Sequence, residues 1–428
     1  MKKIYNPPRT DWKDLLRRPT RTVADIEMQV TTIFGEVEQN GDRALIKYTE
    51  RFDKVDLDRI KVPETDITAA EKEVSDELKQ AIQLAKMNIE SFHKAQITDK
   101  VEVETTRGVQ CWQEKRPIQK VGLYIPGGTA PLFSTILMLA VPAAIAGCRD
   151  VVLCSPPNRE GKIHPAILYT ARLCGVEDIF KVGGIQAIAG MTFGTESIPQ
   201  VYKIFGPGNQ YVTVAKQMAT KYGVAIDMPA GPSELLVVAD DTADASFVAS
   251  DLLSQAEHGA DSQVILVSTS KALIQEVEKE VEMQIKALPR QEIAQKAIAN
   301  SKLIHVADDR IAIDLINAYG PEHFIVCVGN ADFYVDNIMN AGSIFIGNYT
   351  PESAGDYASG TNHTLPTNGY AKQYSGVNLD SFMKSMSFQK VSKEGIKNIG
   401  PAIELMAAAE GLEAHKNAVT LRLAKLKG

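Results

Sequence analysis

From residue 121 onward, short runs rich in β-branched and aromatic residues alternate with stretches of helical period. The first runs are 121–125, 151–154, 180–182 and 202–205, with helical stretches at 131–146, 164–174 and 210–222. Strand–helix alternation of this kind predicts parallel strands, because each helix returns the chain to the edge it started from. Glycines follow several strands: Gly127-Gly128, Gly183-Gly184 and Gly206-Pro207-Gly208. In doubly wound sheets, ligands bind beyond the carboxyl ends of the strands. A second series follows at 235–238, 264–267, 303–306, 324–328 and 344–346, separated by helices near 242–257, 270–287 and 308–318, the last two capped by Ser270 and Asp308. Residues 121–232 and 233–350 therefore read as two α/β halves, without a close internal repeat.

The flanks are different. Residues 1–20 read as an arm. Helical period covers 21–50 and 66–96, where Leu78, Ile82, Leu84, Ala85 and Ile89 fall near one face. Residues 350–380 are polar and rich in Gly, Ser and Asn, and a segment that long without regular structure usually has a function. Residues 392–427 return to helix, and 414–426 read as an amphipathic tail suited to a partner subunit.

Charge and composition exclude several classes. The net charge of -7 and the absence of long like-charge runs argue against a nucleic-acid partner. Residues 121–148 carry no charge, but Gly127, Gly128, Pro131 and Pro142 interrupt them, so a buried unit is expected and not a membrane span. The start MKKIYNPPRTDW lacks the apolar stretch of a signal peptide. Five scattered cysteines (Cys111, Cys148, Cys154, Cys174 and Cys327) form no metal or disulfide pattern and read as structural thiols of a cytoplasmic protein.

Seven histidines remain to be sorted by their neighbours. His93, His164 and His305 lie at helix ends or in an apolar strand and read as structural. Gln255 and His258 are three apart at a helix end, so both can face one ligand, with Gly259 turning the chain just after. A histidine there is equally explained by the helix dipole. Glu322-His323 follows Gly320-Pro321 before a strand and can act as a base and water-activating pair if the turn brings both to one side. Otherwise the two form a solvated loop pair. Asp356 in the polar loop joins His and an amide oxygen in a donor set that suits Zn²⁺ or Mn²⁺. His415 and Glu410 lie in the tail, where a histidine is usually on the surface. Gly206-Pro207-Gly208-Asn209 matches the dinucleotide fingerprint only weakly, and no acidic residue follows at the usual distance.

The segments VGLYIPGGTAPLFST, FGPGNQYV, DMPAGPSE, SQAEHGADSQ, GPEHF, PESAGDYASGTNH and GLEAHKNAVTLR occur in the order found in histidinol dehydrogenases. Over residues 115–422 the chain resembles that family. The resemblance implies oxidation of L-histidinol to L-histidine through the aldehyde, with two NAD and one water, as the closing step of histidine biosynthesis. It implies one Zn²⁺ per subunit on Gln255, His258 and Asp356, with His415 donated by the second subunit of a homodimer. It implies that His323 is the base and that Glu322 activates water. Ser233, Gln255, His258, His323, Asp356, Glu410 and His415 would contact substrate, and Tyr124, Gln186 and Asn209 would contact the cofactor. No cysteine is required.

The implied fold has two incomplete Rossmann-like, doubly wound domains of the aldehyde-dehydrogenase kind, with helical terminal arms in an intertwined homodimer. The expected divisions are 21–123 plus 233–376, 124–232, an arm and linker at 1–20 plus 377–390, and a tail at 391–428. Two other activities compete: a zinc- and NAD-dependent dehydrogenase of another primary alcohol, and a metallohydrolase, for which Asp, His, Glu and water suffice.

Overall fold

The computed structural model describes residues 1–19, 23–127 and 131–427. Gly128 of the expected glycine turn, and residues 20–22 where arm and first helix were expected to meet, lie outside them. In chain order the strands are β1 (Lys2–Tyr5), β2 (Val101–Thr106), β3 (Val109–Pro117), β4 (Lys120–Tyr124), β5 (Asp150–Cys154), β6 (Asp178–Phe180), β7 (Lys203–Phe205), β8 (Ala225–Ile226), β9 (Glu234–Ala239), β10 (Gln263–Ser268), β11 (Lys302–His305), β12 (His323–Cys327), β13 (Ser343–Ile346) and β14 (Met383–Val391). Among the described residues they form three sheets, ordered β1-β11-β10-β9-β12-β13, β6-β5-β4-β7-β8 and β14-β3-β2. The pairings in the first two sheets are parallel.

The six-stranded sheet is covered on both faces, which is why β9 and β10 are buried at every position. Side chains alternate along β9. Leu235 and Val237 pack on Val248 and Leu252 of helix Ala245–Ala256, while Leu236 and Val238 face Ala312 and Ile316 of helix Asp309–Tyr319. Each fully buried aliphatic side chain contributes about 1.5–3 kcal/mol over an exposed one. Around the five-stranded sheet, the uncharged segment forms helix Phe133–Ala146, whose Leu137, Met138 and Val141 pack on Ile82, Ala85 and Ile89. Among the described residues no helix is long and apolar enough to cross a membrane.

Several expectations change. The expected arm holds a strand: β1 extends the sheet beside β11, and Trp12 and Leu16 join the core under β9 and β10. The expected helix at 66–96 is two helices, Glu64–Glu73 and Asp76–Lys94, because Ser75 caps the second by accepting from the Leu78 amide at 3.3 Å. Ser270 and Asp308 do cap their helices.

A second compact unit, Ile97–Pro117 with Met383–Gly428, was not foreseen. Its sheet is antiparallel, and β14 occupies much of the expected linker at 377–390. The strands of this unit are largely exposed, so they show no apolar run or clean alternation. Trp112 and Phe388 stack across β3 and β14 with centroids 5.2 Å apart. Helices Lys393–Ala409 and Glu413–Lys425 follow as expected. The tail is less amphipathic than expected: it buries Val419, while Leu421 stays exposed.

Candidate active site

β9 and β12 lie side by side, with His323 opposite Leu235, so Glu234 and His323 open adjacent strands at the amino edge of the sheet. Glu322 and His323 are delivered here because the turn before β12 is short and sharp. Helix Asp309–Tyr319 ends on Gly320 in left-handed conformation (φ 64°, ψ 68°), where a side chain would be strained. Pro321 follows, and Glu322 precedes the regular strand. Strand alternation therefore does not separate the pair. Glu322 Oε2 lies 3.6 Å from His323 Nδ1.

Both residues lie against the backbone of Glu234. Its amide donates to Glu322 Oε2 at 2.8 Å, and its carbonyl oxygen lies 3.1 Å from His323 Nδ1. The Gln255 amide nitrogen lies 2.8 Å from the same ring nitrogen. The Glu234 carboxylate is held in turn by Arg18, which donates from Nη2 to Oε2 at 2.8 Å, and by the Asn368 amide at 2.6 Å. Arg18 also donates to the carbonyls of Tyr319 and Gly320 at 3.0 and 3.3 Å, and its guanidinium lies 3.9 Å from the Tyr319 ring centre. One side chain thus clamps both β9 and the turn that delivers Glu322 and His323.

The polar segment after β13 supplies the opposing wall. Asp356 lies in a π-helical turn, Ala354–Ala358, whose Asp356 carbonyl accepts from His363 Nδ1 at 2.8 Å. Asp356 Oδ1 stands 3.6 Å from His323 Nε2. Glu352 is buried beside them, and ligand atoms of His323, Glu352 and Asp356 lie within 4.8 Å of one another. His323 Nε2 and Gln255 Oε1 are buried without a hydrogen-bond partner. Buried polar atoms nearly always have one. Unpartnered N and O donors among excess carboxylates fit a divalent cation of the zinc or manganese type.

The electrostatics point the same way. Burial opposes charge on His323, but Glu352 and Glu322 outweigh it, leaving the imidazole well above its usual range. Burial pushes Glu352 well up, helped by Asp356 and Glu322, and pushes Asp251, one turn before Gln255, to about 7. Asp356 is lowered: burial raises it, but the His323 ring close beside it prevails.

His258 is placed differently from the expectation. The helix ends at Ala256, so His258 lies beyond it and does not share a helix face with Gln255, and Gly259 is not left-handed. His258 is exposed, with Nδ1 3.4 Å from Ser233 Oγ; desolvation by the atoms packed round its ring lowers its pKa, against the charges of Asp356 and Glu322. Glu410 and His415 are exposed on the second unit. Of the histidines expected to be structural, His93 Nδ1 bonds the Ile89 carbonyl at 2.8 Å, His164 caps a helix, and His305 is buried in β11. Burial raises the thiols of Cys148, Cys154, Cys174 and Cys327, so no thiolate is at hand among them.

Tyr124, Gln186 and Asn209 come together on a separate cavity of about 670 Å³. It lies at the carboxyl ends of β4 to β7, as the topology predicts. Asn209 caps helix Gln210–Lys221, accepting from the Tyr211 and Val212 amides at 3.0 and 3.1 Å. Gly206 is required for packing: a Cβ would sit 2.1 Å from the Tyr124 carbonyl oxygen. The weak glycine fingerprint is therefore at least partly a packing device. Cavity size, apolar walls and helix amino ends fit a nucleotide.

Glu352 stands in a quoted segment, four residues before Asp356, and that spacing was its only signal. Glu234 adjoins Ser233 in another. Arg18 carried no signal.

The histidinol dehydrogenase family model matches residues 16–423. A histidinol dehydrogenase of Bacteroides thetaiotaomicron is 59% identical over 427 residues, covering 100% of both chains. That of Escherichia coli K12 is 54% identical over 418 residues, covering 97% of this chain and 95% of its own. The crystal structure of histidinol dehydrogenase from Elizabethkingia anophelis is 57% identical, with a TM-score of 0.97 over 100% of this chain and 99% of that one. An acetylating aldehyde dehydrogenase from Geobacillus thermoglucosidasius has a TM-score of 0.50 at 13% identity, covering 89% and 94%, a likeness of fold alone. This chain belongs to the histidinol dehydrogenase family.

Proposed function

We propose that the Glu322–His323 cluster carries the four-electron oxidation of L-histidinol to L-histidine via the aldehyde, with two NAD reduced and one water consumed. The observation that carries this reading is the buried pair, 3.6 Å apart, beside unpartnered Gln255 Oε1 and His323 Nε2. His323 accepts the alcohol proton as hydride leaves for the nicotinamide. Glu322 orients and deprotonates the water that adds to the aldehyde, and a second hydride completes the acid. The backbone of Glu234 holds both groups, so each meets the reacting carbon in a fixed direction.

Gln255, His258 and Asp356 would hold Zn²⁺ with His415 from a second copy, and buried Glu352 is a further donor. When bound, Zn²⁺ supplies positive charge that orients the substrate's imidazole and amine and offsets the acids that otherwise keep His323 protonated. Ser233 and Glu410 would complete substrate contacts, and Tyr124, Gln186 and Asn209 would receive NAD.

The test is NADH absorbance with L-histidinol. Two NADH per histidinol, lost on chelation and restored by zinc, are expected. No NADH from fully metallated protein sinks the reading. The homodimer is tested by mixing. His415→Ala and His323→Ala chains are each inactive, but every heterodimer carries one intact site. With free exchange half the dimers are mixed, so activity should recover to about a quarter of wild type. Verified heterodimers without recovery would rule out a shared site.

A further inference from the structure

The acid at the usual distance after the Gly206 turn, Asp227 beside β8, is taken up by an ion pair with Lys216 and by the Gly206 amide, so it is not free to receive ribose hydroxyls. The fold supplies one from elsewhere. Asp53 ends helix Val23–Asp53, far from the strands in sequence, and lines the same cavity as Tyr124, Gln186 and Asn209. We propose that Asp53 accepts a ribose hydroxyl of the dinucleotide and makes the cavity selective for NAD over its 2′-phosphorylated form. This rests on the reading of that cavity as the cofactor site.

Two observations carry it. First, Asp53 Oδ2 is buried and has no hydrogen-bond partner. A buried carboxylate oxygen left bare is costly, and a hydroxyl entering the cavity would satisfy it. Second, flat apolar side chains stand among the polar groups that line the cavity. Phe52, Tyr124, Pro156 and Pro157 line the same space. They suit a base or sugar face and offer Asp53 no positive charge. Burial alone raises Asp53 to about 6, consistent with an acid lacking an ion-pair partner. Arg159 also lines the cavity, but it is exposed. It can meet a pyrophosphate from the solvent side without neutralising Asp53. A 2′-phosphate would bring negative charge against a carboxylate, so charge repulsion gives the discrimination.

The experiment is calorimetric titration of zinc-loaded protein with NAD and with NADP. Wild type should bind NAD more tightly. Asp53→Ala should weaken NAD by roughly tenfold to a hundredfold, the range for a hydrogen bond to a charged group. Asp53→Asn keeps an acceptor but removes the charge, so it should retain more NAD affinity than the alanine variant and gain NADP affinity. Asn209→Ala reports on the cavity independently. If Asn209→Ala weakens NAD binding while both Asp53 variants keep the wild-type NAD-to-NADP ratio, the Asp53 proposal is overturned and the cavity reading stands. If Asn209→Ala and Asp53→Ala both bind NAD as wild type does, both readings fail.

Discussion

His323→Asn should lower kcat for histidinol oxidation by roughly 10²–10⁴-fold, the contribution expected of a general base. The loss should appear in the first NADH of a single turnover, because proton removal from the alcohol accompanies the first hydride. Binding should suffer less. Gln255, Glu352 and Asp356 remain as donors, and Arg18 and the Glu234 amide still hold the turn that presents residue 323 after the imidazole's own contact with Glu234 is lost. Metal content and histidinol affinity are therefore expected to stay near wild type. A variant with kcat within tenfold of wild type would mean that another group takes the proton. Glu322→Gln makes the complementary case: the first NADH should form while the second slows, and slowing of the first instead would refute a water-activating role for Glu322.

Arg18→Met should cost about 3–5 kcal/mol of stability, the penalty for leaving one partner of a buried ion pair behind. Exposed pairs such as Lys3–Glu278, whose side chains are 41% and 25% exposed, should cost far less, because solvent screens them. The difference lies in burial: the side chains of Arg18 and Glu234 are 13% and 2% exposed. Burial raises Glu234, and the Arg18 hydrogen bond opposes it, so removing Arg18 should leave a carboxyl that gains a proton more easily. Two carbonyls of the turn before Glu322 also lose their donor. Activity at temperatures where the variant is folded should fall as well, through displaced Glu322 and His323. Adding Glu234→Gln to Arg18→Met should recover part of the stability, because no buried charge then remains unpaired. Urea midpoints measure both effects, and a loss below about 1 kcal/mol for the single variant would mean that the clamp is ornamental.

What was legible in the sequence follows how each feature is encoded. β9 and β10 are buried on both faces and therefore announce themselves as unbroken apolar runs. β2 and β14 are exposed, so their residues alternate without contrast, and a whole sheet went unread. β1 is a short edge strand whose only signal is its partner, about 300 residues away. Within the site, Gln255, Glu322, His323 and Asp356 were identified through their motifs, and the fold brings these four together. The clamp was not legible, because Arg18 and Glu234 are 216 positions apart and neither is unusual among its neighbours. The relation of His258 to Gln255 was misjudged because helix ends are poorly encoded: a single turn decides whether residues three apart share a face.

Glu322, His323 and their anchors gather at the amino edge of the six-stranded sheet. The opposite edge is left to turns that only hold themselves together: Asp240 accepts from the Thr242 and Gly329 amides, and Asn348 donates to the Thr242 carbonyl. None of the site residues named above lies in these turns. In this half of the molecule, drift in the turns after β9 and β12 is separated from Glu322 and His323 by the full length of the strands, whereas the turn after β13 leads directly on to Glu352 and Asp356. Lineages of this enzyme can remodel that rim, and engineers can attach to it, while the reacting groups keep their places.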